Sequence, residues 1–258
     1  GEFVRGACGK GVDAGIAEEV FDRLRAFGSY SFPKSHAAAF AVLVYRSAWL
    51  KHYYPAPFYA ALLNNQPMGF WSPAVIVGDA RRHDIQVLPV DVQLSQEKCT
   101  VVDNGLRLGF NYVKGFGEAA IDRLVEVRAA QAFRDLTDFC RRTRLPKRLV
   151  ETLILVGAFD GWDRPRRKLL WELGRLRYEA DALGLVFEED NVSLQALSAL
   201  EKFALERSLL GVSTEGHPME FYRAALDESG ILSTEAFRTR QQGESVRVAG
   251  LVTVHQAP

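Results

Sequence analysis

The chain has 258 residues, 48% of them hydrophobic and 25% charged, enough to bury a core in two or three small domains. Its formal net charge is zero, so no global field announces a polyanion partner. Three widely spaced cysteines, Cys8, Cys99 and Cys140, without a C-x-x-C pair argue against a disulfide framework or a zinc site and fit a reducing, cytoplasmic setting.

The neutral average hides segregation. Residues 107–177 carry sixteen Lys and Arg against nine Asp and Glu, and residues 178–245 carry five against thirteen. A basic middle beside an acidic segment suggests one surface for a polyanion and another turned away from it, with chance clustering of solvated charges as the alternative. The longest apolar run, 37–45, is too short to span a bilayer. The chain begins at Gly1, its first methionine is Met68, and it stops after a strand-like run, so it is expected to be a piece of a longer protein.

In chain order, Ile16, Val20, Leu24 and Phe27 predict a helix that Gly28 stops. Pro33 biases Phe32 to an extended backbone, Ser35 is the expected N-cap of a buried helix from His36 to about Tyr53, and Pro55 ends it. Lys34 and His36 then sit at a helix N-terminus, where amides and macrodipole favour phosphate; a capped core helix with incidental polar residues is the other reading. Helices are predicted from Pro57 to Leu63 and from Pro73 to His83. Residues 85–92, 98–102 and 106–110 read as short strands, with Asn104-Gly105 as the turn between the last two. Asp79 and Asp91 are lone carboxylates and read as structural.

The stretch GFNYVKGFGEAAIDRLVEVR, 109–128, carries a turn of Val113, Gly115, Phe116 and Gly117 that opens into an amphipathic helix with Ile121, Leu124 and Val125 on one face. Glycine permits φ > 0 and close backbone approach, and the first amides of the helix have no intrahelical acceptor. Such a turn suits a phosphate. A short helix over 133–143 carries Arg141 and Arg142. LPKRLVETLILVGAFD, 145–160, then repeats the theme, with Leu149, Leu153 and Val156 on one side and a Gly157-Ala158-Phe159 turn. Asp163 and Pro165 mark the next helix start, and Arg164, Arg166, Arg167 and Lys168 cluster where a phosphate backbone would pass. Two helix-hairpin-helix units in tandem can present both turns to one side; a structural helical packing unit is the alternative.

Beyond these, Leu169, Leu173, Leu176, Ala180 and Leu183 form an apolar stripe, and 187–191 reads as an acidic loop. Ser198 to Glu201 is a capping box opening a helix that Gly211 ends, His217-Pro218 lies in a turn, and 246–254 reads as a buried strand without partner strands.

The run FGSYSFPKSHAAAFAVLVYRSAWLKHYYPAPFYAALLN closely resembles the end of the fingers domain of bacterial family C DNA polymerases, the DNA polymerase III alpha type. GFNYVKGFGEAAIDRLV with LPKRLVETLILVGAFD resembles the tandem helix-hairpin-helix domain that follows the fingers there. LEKFALERSLLGVSTEGHPMEFY resembles the linker before that family's OB-fold, and VRVAGLVTVHQAP the OB-fold's first strand. NNQPMGFWSPAVIVGDARRH and the VRVAGLV run look more like the error-prone, translesion branch of the family than the replicative one, which is the alternative, as is a non-enzymatic helix-hairpin-helix module.

The resemblance implies a mainly α fold with a small β element. Its parts would be a fingers end over 1–72, a helix-hairpin-helix domain with the β element over 73–186, an acidic helical linker over 187–244, and the first strand of a truncated OB-fold over 245–258. It implies DNA-directed nucleotidyl transfer in damage-induced translesion synthesis by the whole protein. Catalytic carboxylates and Mg2+ ligands would belong to a palm outside this chain, so no catalytic or metal residue is expected here. Lys34, Ser35 and His36 are the expected contacts to the incoming dNTP. Lys114, Gly115, Phe116, Gly117, Gly157, Ala158, Arg166, Arg167 and Lys168 are the expected contacts to primer-template DNA. Accessory mutagenesis proteins and the sliding clamp are expected partners, no membrane is, and the second turn, lacking the G-x-G form, is open to being a packing partner only.

Overall fold

The computed structural model describes residues 1–30, 34–177, 192–214 and 216–252, with side chains throughout except at 26–30. Twelve α-helices and one three-stranded sheet are present among these residues. They fall into two compact units, 1–54 and 55–258. The division lies after Tyr54 rather than after residue 72, because the following helix buries Tyr59 and Leu63 in the second unit's core.

In the first unit, α1 (Glu2–Cys8) packs on α2 (Ala14–Tyr30), with Phe3 and Phe21 stacked at 5.7 Å between ring centroids. The helix α2 runs through Gly28 instead of stopping there. A lone glycine weakens a helix without ending it when it is not in a left-handed cap. Of the expected apolar face, Ile16, Val20 and Leu24 are exposed and Ala17 is the buried residue. The helix α3 (Lys34–Tyr53) starts at Lys34, so Ser35 lies inside its first turn and does not cap it. No residue of α3 is buried, contrary to the expected core helix. Phe40, Leu43, Val44 and Trp49 place apolar groups around its circumference, a pattern that suits burial on all sides.

The second unit is organised by one continuous apolar core. It begins with α4 (Pro55–Asn64) packed on α5 (Pro73–Arg82). Asp79 accepts the Tyr59 hydroxyl at 2.7 Å, and Asp91 accepts the amides of Gln93 and Leu94, so both carboxylates hold structure as expected. The Asn64 side chain accepts from the Cys99 amide and donates to the Cys99 carbonyl, fixing the end of α4 to the sheet.

That sheet has the order β1 (Gln86–Leu88), β3 (Gly105–Arg107), β2 (Thr100–Val102), with β1 parallel and β2 antiparallel to β3. Its hairpin turn is Asp103-Asn104, one residue earlier than expected. Asp103 accepts φ 50°, while Gly105 pairs with Gln86, where an added Cβ would lie 2.6 Å from the Gln86 carbonyl oxygen. Glycine serves the close strand approach there, not the turn.

A 3-10 turn at Phe110–Tyr112 leads into α6 (Glu118–Ala130), followed by α7 (Leu136–Thr143), α8 (Lys147–Leu155), a second 3-10 turn at Asp160–Trp162, and α9 (Arg166–Arg175). Asp135 caps α7 by accepting the Asp138 amide at 2.8 Å. Asp163 does not cap α9: it is left-handed at φ 54° and closes the second 3-10 turn, leaving Pro165 at the N-cap. Phe139 joins these helices, with its ring 4.8 Å from Phe133 and 5.0 Å from Phe159. Burial pushes the Cys140 thiol up to about 12, and raises that of Cys99, so both act as packing groups rather than nucleophiles.

The helix α10 (Ala199–Leu210) has the predicted capping box of Ser198 and Glu201 and ends at left-handed Gly211. His217 caps a 3-10 turn at Pro218–Tyr222, and α11 (Arg223–Glu228) and α12 (Thr234–Arg238) follow. The expected strand over 246–254 is not formed among its described residues, which make a single bridge between Leu232 and Val248. Val248, Leu251 and Val252 are exposed, as befits a strand sequence with no neighbouring strand to satisfy its backbone. Ala180 and Leu183 of the predicted stripe, the acidic loop at 187–191, and Phe32-Pro33 lie outside the described residues. No described helix is long and apolar enough to cross a membrane.

Replacing Phe139 by Ala is expected to destabilise this unit by about 3–5 kcal/mol, the usual cost of emptying a fully buried aromatic site. Trp171→Ala, at a residue 46% exposed on α9, should stay within about 0.5 kcal/mol. Urea unfolding midpoints of the two variants check this.

Candidate nucleic-acid interface

The first hairpin is open. Gly115 has φ +76°, nothing lies within 4 Å of the place a Cβ would take there, and Lys114, Gly115 and Gly117 are exposed. Phe116 turns the other way, buried against Phe110 at 5.7 Å, and with Val113 it fastens the turn to the core. Gly117 is the N-cap of α6 and supplies no side-chain acceptor. Its carbonyl takes the amides of Ala120 and Ile121, which leaves those of Glu118 and Ala119 without an acceptor among the described residues. Exposed, left-handed Gly115 beside these free amides leaves backbone donors open to solvent at a helix N-terminus, groups of the kind that bind anions. Ile121 and Leu124 are buried and Val125 half-buried, as the sequence pattern predicts, so the helix behind the turn is firmly seated.

The second hairpin is closed. Gly157 at φ +83°, Ala158 and Phe159 are all buried, and the Ala158 carbonyl accepts the Val92 amide at 2.9 Å. A Cβ on Gly157 would lie 2.7 Å from Cζ of Arg166, whose guanidinium covers the turn. Arg166 donates through Nε to both Asp160 oxygens at 3.1 Å, through Nη2 to Asp160 Oδ2 at 2.7 Å and Glu206 Oε1 at 3.4 Å, and through Nη1 to the Leu155 carbonyl at 2.8 Å. Burial alone would loosen the proton on this guanidinium, but the two carboxylates outweigh it and its pKa is raised.

Glu206 is 1% exposed and fully occupied. Its other oxygen accepts the Ser213 hydroxyl at 2.9 Å and the Thr214 amide at 2.8 Å. Arg167 is similarly engaged, with Glu201 at 2.7 Å and the Gln195 carbonyl at 3.1 Å, and Arg164 pairs with Glu172. The basic cluster that the sequence offers to a phosphate is therefore largely paired internally, Arg164 with Glu172, Arg166 with Asp160 and Glu206, and Arg167 with Glu201. Gly157, Ala158 and Arg166 are not presented to solvent, Arg167 is shared with Glu201, and Lys168 is half-buried on α9.

Both turns nevertheless meet the same helix. The Leu209 carbonyl accepts the Lys114 amide at 2.8 Å, and Glu206, three residues earlier on α10, holds Arg166. Three residues of α-helix rise about 4.5 Å, so the two hairpins lie side by side along the last turn of α10. Glu206 was missed by sequence reasoning, although a signal exists. It shares a helical face with Phe203 and Leu210, and a carboxylate on an apolar face needs a buried partner.

Lys34, Ser35 and His36 occupy the first turn of α3 and are exposed, with the His36 ring 4.5 Å from that of Phe40. They belong to the first compact unit, and the hairpins to the second. The described residues contain no group of three or more His, Cys, Asp or Glu able to hold a metal ion.

Residues 84–169 match a helix-hairpin-helix motif family. Over its whole length the chain is 39% identical to an error-prone DNA polymerase of Brucella abortus biovar 1 (strain 9-941), covering 25% of that protein. It is likewise 39% identical over 99% of its length to one of Pseudomonas aeruginosa, covering 26% of it, and 38% identical over 96% to one of Rhodopseudomonas palustris (strain HaA2), covering 24%. The chain thus spans about a quarter of the length of the curated relatives it matches.

Arg166→Ala would leave Glu206 buried without its counter-charge. Loss of one member of such a pair costs about 3–5 kcal/mol, and the same loss is expected here in urea unfolding, with part of it recovered when Glu206→Gln is added. A loss below about 1 kcal/mol would show that the network is not what closes the second hairpin.

Proposed function

We propose that this chain is the segment of an error-prone DNA polymerase that holds primer-template duplex through its first hairpin while nucleotidyl transfer is carried out by a part of the enzyme outside it. Similarity to error-prone DNA polymerases along the whole chain supports the enzyme class. The observation that carries the DNA-binding part is the open turn at Lys114, Gly115 and Gly117, with the unaccepted amides of Glu118 and Ala119 behind it. Backbone amides and a lysine recognise phosphate irrespective of base, which suits an enzyme that must hold any sequence, damaged templates included.

In this reading the second hairpin is a packing partner. Arg166 and Asp160 close it, and its role is to set the angle and rigidity of the first. Lys34 and His36, with Ser35 between them, are the proposed contacts to the triphosphate of an incoming dNTP, supported by their exposed place in the first turn of the twenty-residue helix α3. Mg2+ would serve the whole enzyme through ligands outside this chain. Accessory mutagenesis proteins and the sliding clamp remain proposed partners of the whole polymerase, working in the cytoplasm.

The test of the DNA reading is duplex binding by the chain as a function of salt. Affinity should be independent of sequence and fall steeply as salt rises, and Lys114→Ala should weaken it and reduce the slope of log K against log salt by about 1. Absence of binding at low salt would favour a purely structural helical domain. For the fingers contact, Lys34→Ala in the whole polymerase is expected to raise the apparent KM for dNTP about tenfold while leaving the Kd for primer-template within twofold, since a charged phosphate contact is worth roughly a factor of ten. Steady-state titration of dNTP against anisotropy with labelled DNA separates the two, and an unchanged KM removes Lys34 from the nucleotide site.

A further inference from the structure

We propose that the basic corner between α7 and α8, continued by Arg123 of α6, is a second phosphate-contact surface that extends the grip of the first hairpin along the DNA. The inference rests on the duplex-binding reading given above. Residues 141–148, RRTRLPKR, contain five Arg and Lys and no carboxylate. No other eight-residue stretch of the chain holds as many basic residues, and it does not share the fate of the cluster on α9.

One of the five is internal. Arg142 donates to the carbonyls of Val127 and Gln131, both at 2.6 Å, pairs with Asp138 at 3.1 Å, and stacks over Phe133 at 4.8 Å. The other four, Arg141, Arg144, Lys147 and Arg148, are exposed, and none has a carboxylate partner among the described residues. Lys147 reaches no further than the Gly174 carbonyl at 3.4 Å.

The corner is rigidly mounted. Thr143 and Leu145 on either side of Arg144 are buried, the Thr143 hydroxyl donates to the Phe139 carbonyl at 2.8 Å, and the Arg144 amide closes α7 onto the Cys140 carbonyl at 2.9 Å. Arg144 itself is left-handed at φ 53°, a conformation in which a non-glycine residue is held under some strain. Lys147 and Arg148 stand in the first turn of α8, which has neither an acidic residue nor a side-chain cap. Cations there oppose the helix macrodipole, an arrangement that a bound polyanion would relieve.

Continuity with the first hairpin identifies the occupant. Arg123 donates through Nη2 to the Arg142 carbonyl at 3.3 Å, which brings α6 against the end of α7. Its Nη1 donates to the exposed Glu126 at 3.5 Å, a surface pair weak enough for a phosphate to displace. Arg123 lies six residues beyond Gly117, about 9 Å along the helix axis. With about 3.4 Å of rise per nucleotide on one strand, a backbone leaving the free amides of the first turn reaches Arg123 within about three nucleotides, and the corner next. An acidic protein partner would want an apolar or aromatic anchor among these charges. The exposed run offers only Arg, Lys and Pro146.

Fluorescence anisotropy with a labelled mixed-sequence duplex, titrated over a range of salt, tests the surface in the full chain. Arg144→Gln with Arg148→Gln should weaken binding at least tenfold at low salt and lower the salt slope by about 2, while the matching double Lys variant keeps wild-type behaviour. Arg141→Gln with Arg148→Gln, which leaves the left-handed residue untouched, should act in the same direction, with thermal unfolding followed by circular dichroism unchanged in each case. If Lys114→Ala weakens binding but both Gln pairs retain wild-type affinity and slope, the hairpin binds alone and the inference is overturned. Loss of binding to a labelled polyglutamate peptide with duplex binding intact would overturn it in favour of an acidic protein. If the wild-type chain binds no duplex, the DNA reading and this extension fall together.

Discussion

Arg166 is a buried cation, and the geometry of both hairpins follows from how its charge is satisfied. Taking a guanidinium out of water costs several kcal/mol unless its donors are matched. Here Asp160 comes from the turn itself, the Leu155 carbonyl from the helix before it, and Glu206 from α10, forty residues away in sequence. A single side chain thereby joins the two sides of the second hairpin to the helix that also receives the Lys114 amide. The first turn stays open to solvent while the second is closed by an internal anion.

This division of labour changes the meaning of the charge segregation. A basic middle and an acidic follower need not face opposite ways. Glu201 and Glu206 meet Arg167 and Arg166 directly, and the positive charge without a carboxylate partner among the described residues lies elsewhere: at Lys114 and at the corner between α7 and α8. A chain of zero net charge can still present a local basic track when its carboxylates are spent at fixed internal positions.

The features legible in the sequence are those set by local backbone chemistry. The left-handed glycine at 115, the capping box at Ser198 and Glu201, the stop at Gly211, and the apolar face of Ile121 and Leu124 depend on residues within one or two turns of each other. The features that were not legible depend on what packs against them. The helical nature of α3 could be read from its residues, but its burial could not, since exposure belongs to the neighbours as much as to the helix. The run at 246–252 has strand composition without a sheet to join. Arg166 looked like a surface phosphate ligand because nothing local reveals that Glu206 will arrive beside it. The hairpin turn was displaced by one residue for the same reason: Gly105 answers to β1, a strand far outside the window that defines a turn.

On the proposed reading, a clamp on DNA has to reconcile firm placement with easy sliding. Amides fixed by a helix N-terminus do not rotate, so they lose little entropy on meeting a phosphate, whereas each lysine or arginine must be ordered to make its contact. A rigid turn of amides therefore adds registration to whatever ionic grip the neighbouring cations supply, and every phosphate along the strand presents the same partner. Burying Arg166 instead of exposing it serves that balance. It removes a strong bidentate phosphate ligand from the surface and uses its charge to hold the turn that remains.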